Sequence, residues 1–167
     1  MKTLRGVVSL VLACLAAASC LAADPVPASL LGDWQMTEGS GSSYQNPNTG
    51  ARSAPNLNVY AYRLLPDGTY QHAALLTSTL YDCTMQVQGF ETGVLEVAGD
   101  HIVFQDREAK LTSKDNCRPE FNYEKPGKLS RSAFRWRLER DEGGDVLVLR
   151  WPNEKEDRYH RVRKDPE

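Results

Sequence analysis

The sequence is poor in the side chains that carry most enzyme chemistry. Its 167 residues hold three histidines, His72, His101 and His160, all far apart. No HxH or HExxH spacing occurs, and no phosphate-loop or calcium-loop pattern. Gly39-Ser40-Gly41-Ser42-Ser43 lacks the Gly-x-Ser-x-Gly form of a nucleophile elbow, and no strand–turn–helix pattern surrounds it. Two acidic clusters stand out. Asp141, Glu142 and Asp145 read as a hairpin tip, and Glu154, Glu156 and Asp157 as a solvated polar turn. A glycosidase pair needs two acids converging on a cleft, and neither cluster suggests that. These gaps argue against an enzyme, a metal centre and a cofactor. His72 shares a strand face with Tyr70 and Ala74, so it reads as a core or lining histidine.

Long apolar runs are also missing, except at the start. Lys2 and Arg5 precede an apolar stretch over residues 7–18, and small residues follow to Ala23. That layout is a secretory signal peptide, residues 1–23, and the run is too short to span a bilayer. A second reading competes. Ala17-Ala18-Ser19-Cys20 resembles the lipobox of bacterial lipoproteins, with Ala17 where Leu is usual. In that case Cys20 carries lipid and is the membrane attachment. The expectation is an exported chain, periplasmic or secreted, with a lipid-anchored form as the alternative. Residues 24–167 then make one domain.

Of four cysteines, Cys14 and Cys20 lie in this first segment. Cys83 and Cys117 remain, an even pair in an oxidising compartment, and read as a disulfide. The mature domain carries 18 basic and 22 acidic residues, net −4. The charge is uneven, because residues 24–106 hold only Arg52 and Arg63 against nine acids. Arg135, Arg137 and Arg150 would share an outward face, a stripe that suits phosphate. Glu139 and the acidic turn interrupt it, and the domain is net acidic, so nucleic acid is not an expected partner.

No stretch after the signal shows a helical period. Alternation with period two recurs instead. A first strand is expected over residues 30–36. Residues 39–56 are Gly, Ser, Asn and Pro-rich and read as a long loop. A hairpin follows, with Tyr60, Tyr62 and Leu64 on one arm. Tyr70, His72, Ala74 and Leu76 lie on the other, around Pro66-Asp67-Gly68. Short strands are expected near 85–87, 94–97 and 102–104, and residues 107–132 read as irregular. Phe134-x-Trp136-x-Leu138, then Leu147-x-Leu149-x-Trp151, and a last strand over 159–163 complete the chain. Eight to ten short strands joined in sequence make an all-β, antiparallel, up-and-down β-barrel the expected fold.

Gly32-Asp33-Trp34, early in the first strand of such a meander, resembles the Gly-x-Trp signature of lipocalins and the wider calycin group. The lipocalin second motif, Thr-Asp-Tyr, is not present in that form. The likeness extends to uncharacterised bacterial exported proteins of lipocalin-like shape. The resemblance implies that Gly32 and Trp34 are structural. Trp34 would plug the closed end, with Arg161 or Arg163 packed across its ring. It also implies a barrel interior. The inward aromatics Trp34, Tyr60, Tyr62, Tyr70, Phe104 and Trp136 are the candidate ligand contacts. The expected function is non-catalytic binding of a small apolar ligand. The alternatives are a protein partner and a structural envelope lipoprotein. Some small exported barrels of this shape inhibit proteases with their N-terminal segment, which here is 24–29, or the 39–56 loop could serve.

Overall fold

The computed structural model describes residues 25–40, 47–50, 56–80 and 83–163. The signal segment, Cys20, and residues 41–46 and 51–55 of the long loop lie outside the described residues. Nine strands make up the fold. They are β1 (Gly32–Ser40), β2 (Asn56–Leu64), β3 (Thr69–Leu80), β4 (Cys83–Ala98), β5 (His101–Asp115), β6 (Tyr123–Pro126), β7 (Arg131–Asp141), β8 (Gly144–Arg150) and β9 (Glu156–Arg161). One 3-10 turn, Pro119–Phe121, is the only helical element among the described residues. None of them is a helix long and apolar enough to cross a membrane.

The strands form one antiparallel sheet in the order β4-β3-β2-β1-β9-β8-β7-β5-β6, with a further pairing of β4 to β5. Most neighbours are consecutive in sequence, so short turns suffice. Gly68, at φ 76°, closes the β2–β3 turn, where Asp67 accepts from the Thr69 backbone N–H at 3.0 Å. Gly99, at φ 59°, lets β4 reverse into β5.

Four expectations about the strands need correction. The strands near 85–87 and 94–97 are one, the sixteen-residue β4. Its break in apolar pattern comes from Gly89 and Gly93, and Gly93 sits at a bulge opposite β5. A Cβ there would lie 2.1 Å from the Gln105 carbonyl oxygen, so only glycine fits the close approach. The irregular reading of 107–132 is also wrong in part, because β5 continues to Asp115 and β6 pairs with it. This stretch has little apolar surface to bury, so backbone pairing rather than alternation holds it. Residues 28–30 form a turn and β1 starts at Gly32. The last strand runs Glu156–Arg161 rather than to 163, which brings Asp157 out of the expected polar turn and into the sheet.

The core gathers at one end of the sheet's inner face, around Leu30, Trp34, Leu64, Leu95, Ile102, Leu147 and Leu149, each at most 5% exposed. The Trp34 indole N–H donates to the Leu30 carbonyl at 2.8 Å. The Arg161 guanidinium lies 4.1 Å from the Trp34 ring centroid and donates to Leu31 O (2.7 Å) and Ser29 O (2.6 Å). It is thus a cation–π cover and a clamp on the chain that enters β1. Arg163 instead donates to Gly143 O. Gly32, at φ 119°, leaves room for the clamp, since a Cβ would come within 3.1 Å of an Arg161 nitrogen. A disulfide joins Cys83 to Cys117, tying the start of β4 to the segment after β5.

The arginines of the outer face are ion-paired rather than bare. Arg137 makes a bidentate contact with Glu156 (2.8 and 2.9 Å) and reaches Glu139 at 2.7 Å, and Arg158 reaches Glu139 at 2.6 Å. In register, Val148 lies between Arg137 and Arg158 and Val146 between Glu139 and His160, and both valines are fully buried.

Candidate functional site

Beyond the core around Trp34, the inner face does not fill. A cavity of about 360 Å³ remains. Its walls come from inward positions of β1, β2, β3, β4, β5, β7 and β9 and from the turns beside β7 and β9. Aromatics make one part of the lining. Tyr62 stacks on His72 at 4.3 Å and on Phe104 at 4.8 Å, with Tyr159 edge-on at 5.3 Å. Phe104 also meets Tyr70 at 4.9 Å and Phe134 at 5.8 Å, and Phe134 meets Trp151 at 4.5 Å. Such T-shaped and offset pairs fix the ring positions.

The rest of the lining is polar. Asp106, 7% exposed, is the best-anchored group. One of its carboxylate oxygens accepts from the Tyr70 hydroxyl. The other accepts from the Ser130 backbone N–H (2.7 Å) and hydroxyl (2.8 Å). A buried carboxylate is tolerated when donors surround it in this way. His72 Nδ1 and Glu91 Oε2 are 2.7 Å apart. Asp157, 6% exposed, accepts from the Trp151 indole N–H at 2.5 Å through Oδ2. Its Oδ1 is 3.1 Å from Lys155 Nζ, yet the geometry of that ion pair leaves the buried oxygen without a hydrogen bond. Exposed Glu38, Lys128 and Lys155 stand at the rim.

Burial is the main cause that pushes the phenols of Tyr62, Tyr70 and Tyr159 above their ordinary value. The nearby carboxylates add to it. They are Glu91, Asp106 and Asp157 for Tyr62, Asp106 and Glu91 for Tyr70, and Asp157 and Glu38 for Tyr159. These hydroxyls therefore stay protonated and can donate. The Asp157 carboxylate beside it raises the Lys155 ammonium above its usual value.

Four of the six candidate contacts, Tyr60, Tyr62, Tyr70 and Phe104, line the cavity. Trp34 does not, because it is fully buried in the core. Trp136 does not either. It packs half-buried against the core and donates its indole N–H to the Gly99 carbonyl at 3.0 Å. Sequence reasoning passed over Asp106, Trp151, Asp157 and Tyr159 as lining residues. Alternation carried two residues on from Phe104 would have reached Asp106. Carried two residues back from Tyr159, it would have reached Asp157.

The His72–Glu91 pair is half of a general base, a ring held by a carboxylate. Among the described residues no hydrogen bond links His72 to a serine, threonine or cysteine. Nor do three His, Cys, Asp or Glu side chains gather among them to hold a metal ion. The arrangement as it stands can grip a small molecule that has a flat apolar part and polar ends. No protein-family model, no curated protein and no solved structure matches the chain.

Proposed function

We propose that the chain is a lipocalin-like, up-and-down β-barrel, exported to the periplasm or beyond, that binds a small molecule without transforming it. Closure is supported by the pairings. From β1 through β2, β3, β4, β5, β7, β8 and β9 every step is an antiparallel pair, and β9 pairs again with β1. β6 pairs with Lys110–Ser113 of β5, farther along the edge that β7 uses at His101–Gln105. An eight-strand ring is wide enough to enclose one small ligand.

The observation that carries the binding reading is the cavity of about 360 Å³ above the Trp34–Arg161 plug. Ligand sites in proteins fall in the range of roughly 300–1,000 Å³, with aromatic walls and a few placed polar groups. The lining here has both, so the ligand is amphiphilic rather than wholly apolar. The N-terminal segment gives less support to a protease-inhibitor role. Its described part is folded onto the base, with Val26 packed on the core and Ser29 held by Arg161.

A thermal-shift screen of small molecules tests the reading, with wild type run beside Ser132→Trp. Ser132 lines the cavity, and tryptophan there would occupy it. Compounds that raise the melting temperature of wild type alone support the proposal. Compounds that act equally on both, or none that act, would contradict it.

A further inference from the structure

The charges of the cavity are sorted by depth. The buried ones are carboxylates, Asp106 and Asp157, at 7% and 6% exposure. The lysines, Lys128 and Lys155, are exposed. Glu38 and Glu91 add two more carboxylates to the lining. Four carboxylates therefore face two ammonium groups and His72, and the deep end is acidic. Asp106 is already served by three donors from Tyr70 and Ser130. Glu91 is served by His72.

Asp157 is the exception. Its Oδ1 is buried and accepts no hydrogen bond. The nearest cation is Lys155 Nζ at 3.1 Å, on a side chain 61% exposed. A long exposed lysine is free to swing into water. It stands where another ammonium group could stand with better geometry. Tyr159, Trp151 and Phe134 line the same cavity, and aromatic rings attract cations as carboxylates do.

We propose that the ligand is an organic cation, a protonated amine on a small aromatic or apolar body. Its ammonium group donates to Asp157 Oδ1 and displaces Lys155, while the body lies among Phe104, Phe134 and Tyr62. This rests on the reading of the cavity as a ligand site. An anion is disfavoured because it would meet buried carboxylates past the two rim lysines. At about 360 Å³ the site is at the small end for ligand pockets, which suits a single-ring amine and not a peptide.

The test is isothermal titration calorimetry of the disulfide-bonded mature chain with three probes of one shape. These are 2-phenylethylamine, 2-phenylethanol and 3-phenylpropanoate, at neutral pH. The amine is expected to bind at least 10-fold more tightly than the alcohol, and the carboxylate more weakly still. Asp157→Asn keeps an acceptor for Trp151 and should cost the amine about 10-fold while leaving the alcohol unchanged. Lys155→Met removes the competing ammonium from an exposed position, and amine affinity should rise several-fold. If the alcohol or carboxylate binds as tightly as the amine, the cation inference is overturned and the cavity reading stands. If none of the three binds, both are overturned.

Discussion

Asp106 offers the sharpest stability test, because the wall of the cavity and the segment before β7 meet on it. Tyr70, 2% exposed, has its hydroxyl on one carboxylate oxygen, and Ser130 has two donors on the other. A hydrogen bond to a charged group contributes roughly 1.5–3 kcal/mol net, and a stranded buried donor costs about 1–3 kcal/mol. Ser130 is exposed and can turn to water, so its share is smaller. Asp106→Ala should therefore cost about 3–5 kcal/mol and Tyr70→Phe about 1.5–3 kcal/mol. Asp106→Asn should be cheapest, about 1 kcal/mol, since its amide can donate to the Tyr70 oxygen while its carbonyl still accepts from Ser130. Urea unfolding followed by tryptophan fluorescence measures each. In the double mutant, Tyr70→Phe should become nearly free. A coupling energy above about 1 kcal/mol is expected, as for contacting residues in one network. A coupling below about 0.5 kcal/mol, or an Asp106→Ala cost under 1 kcal/mol, would refute the reasoning.

Three further outcomes are expected. Replacing both Cys83 and Cys117 by alanine should cost about 3–4 kcal/mol in the chain-entropy model, given the separation of 34 residues, read as a lower urea midpoint. Gly93→Ala should destabilise by about 2–3 kcal/mol or prevent folding, because its Cβ meets the Gln105 carbonyl, whereas Gly99→Ala meets no atom and pays only for its φ of 59°. Stability should fall above pH 10. The folded chain holds the phenolic protons of Tyr62, Tyr70 and Tyr159, while the unfolded chain releases them near 10.0. Their contribution is complete below that pH and is lost as pH rises through it, by about 1.4 kcal/mol per pH unit for each tyrosine, so Tyr62→Phe should flatten the alkaline limb of a pH–stability curve.

The sequence made the turns and the outer plan legible. Pro66-Asp67-Gly68, Gly99-Asp100 and the 141–145 tip all reverse the chain, and the alternation around Tyr60–Tyr62 and Phe134–Trp136 marks strands. The Cys83–Cys117 bond was legible from the even pair of cysteines left after the first segment. What alternation could not reveal was polar residues facing inward. Asp106 and Asp157 break the apolar face that defines a strand, so Asp106 falls outside the strand read to Phe104 and Asp157 reads as a polar turn, yet each is held by donors from distant strands or neighbouring turns. The length of β4 and β5 was hidden for a related reason. Before Gly93 on β4 and past Asp106 on β5 both faces lack a dense core, and no apolar period remains to be read.

The most direct test of a ligand in this cavity is native mass spectrometry of residues 24–167, purified from the source cells with the disulfide intact. The account predicts a reproducible added mass of small-molecule size that is absent from Ser132→Trp and whose extract is basic. A bare protein in every preparation, or an adduct retained equally by Ser132→Trp, would contradict it.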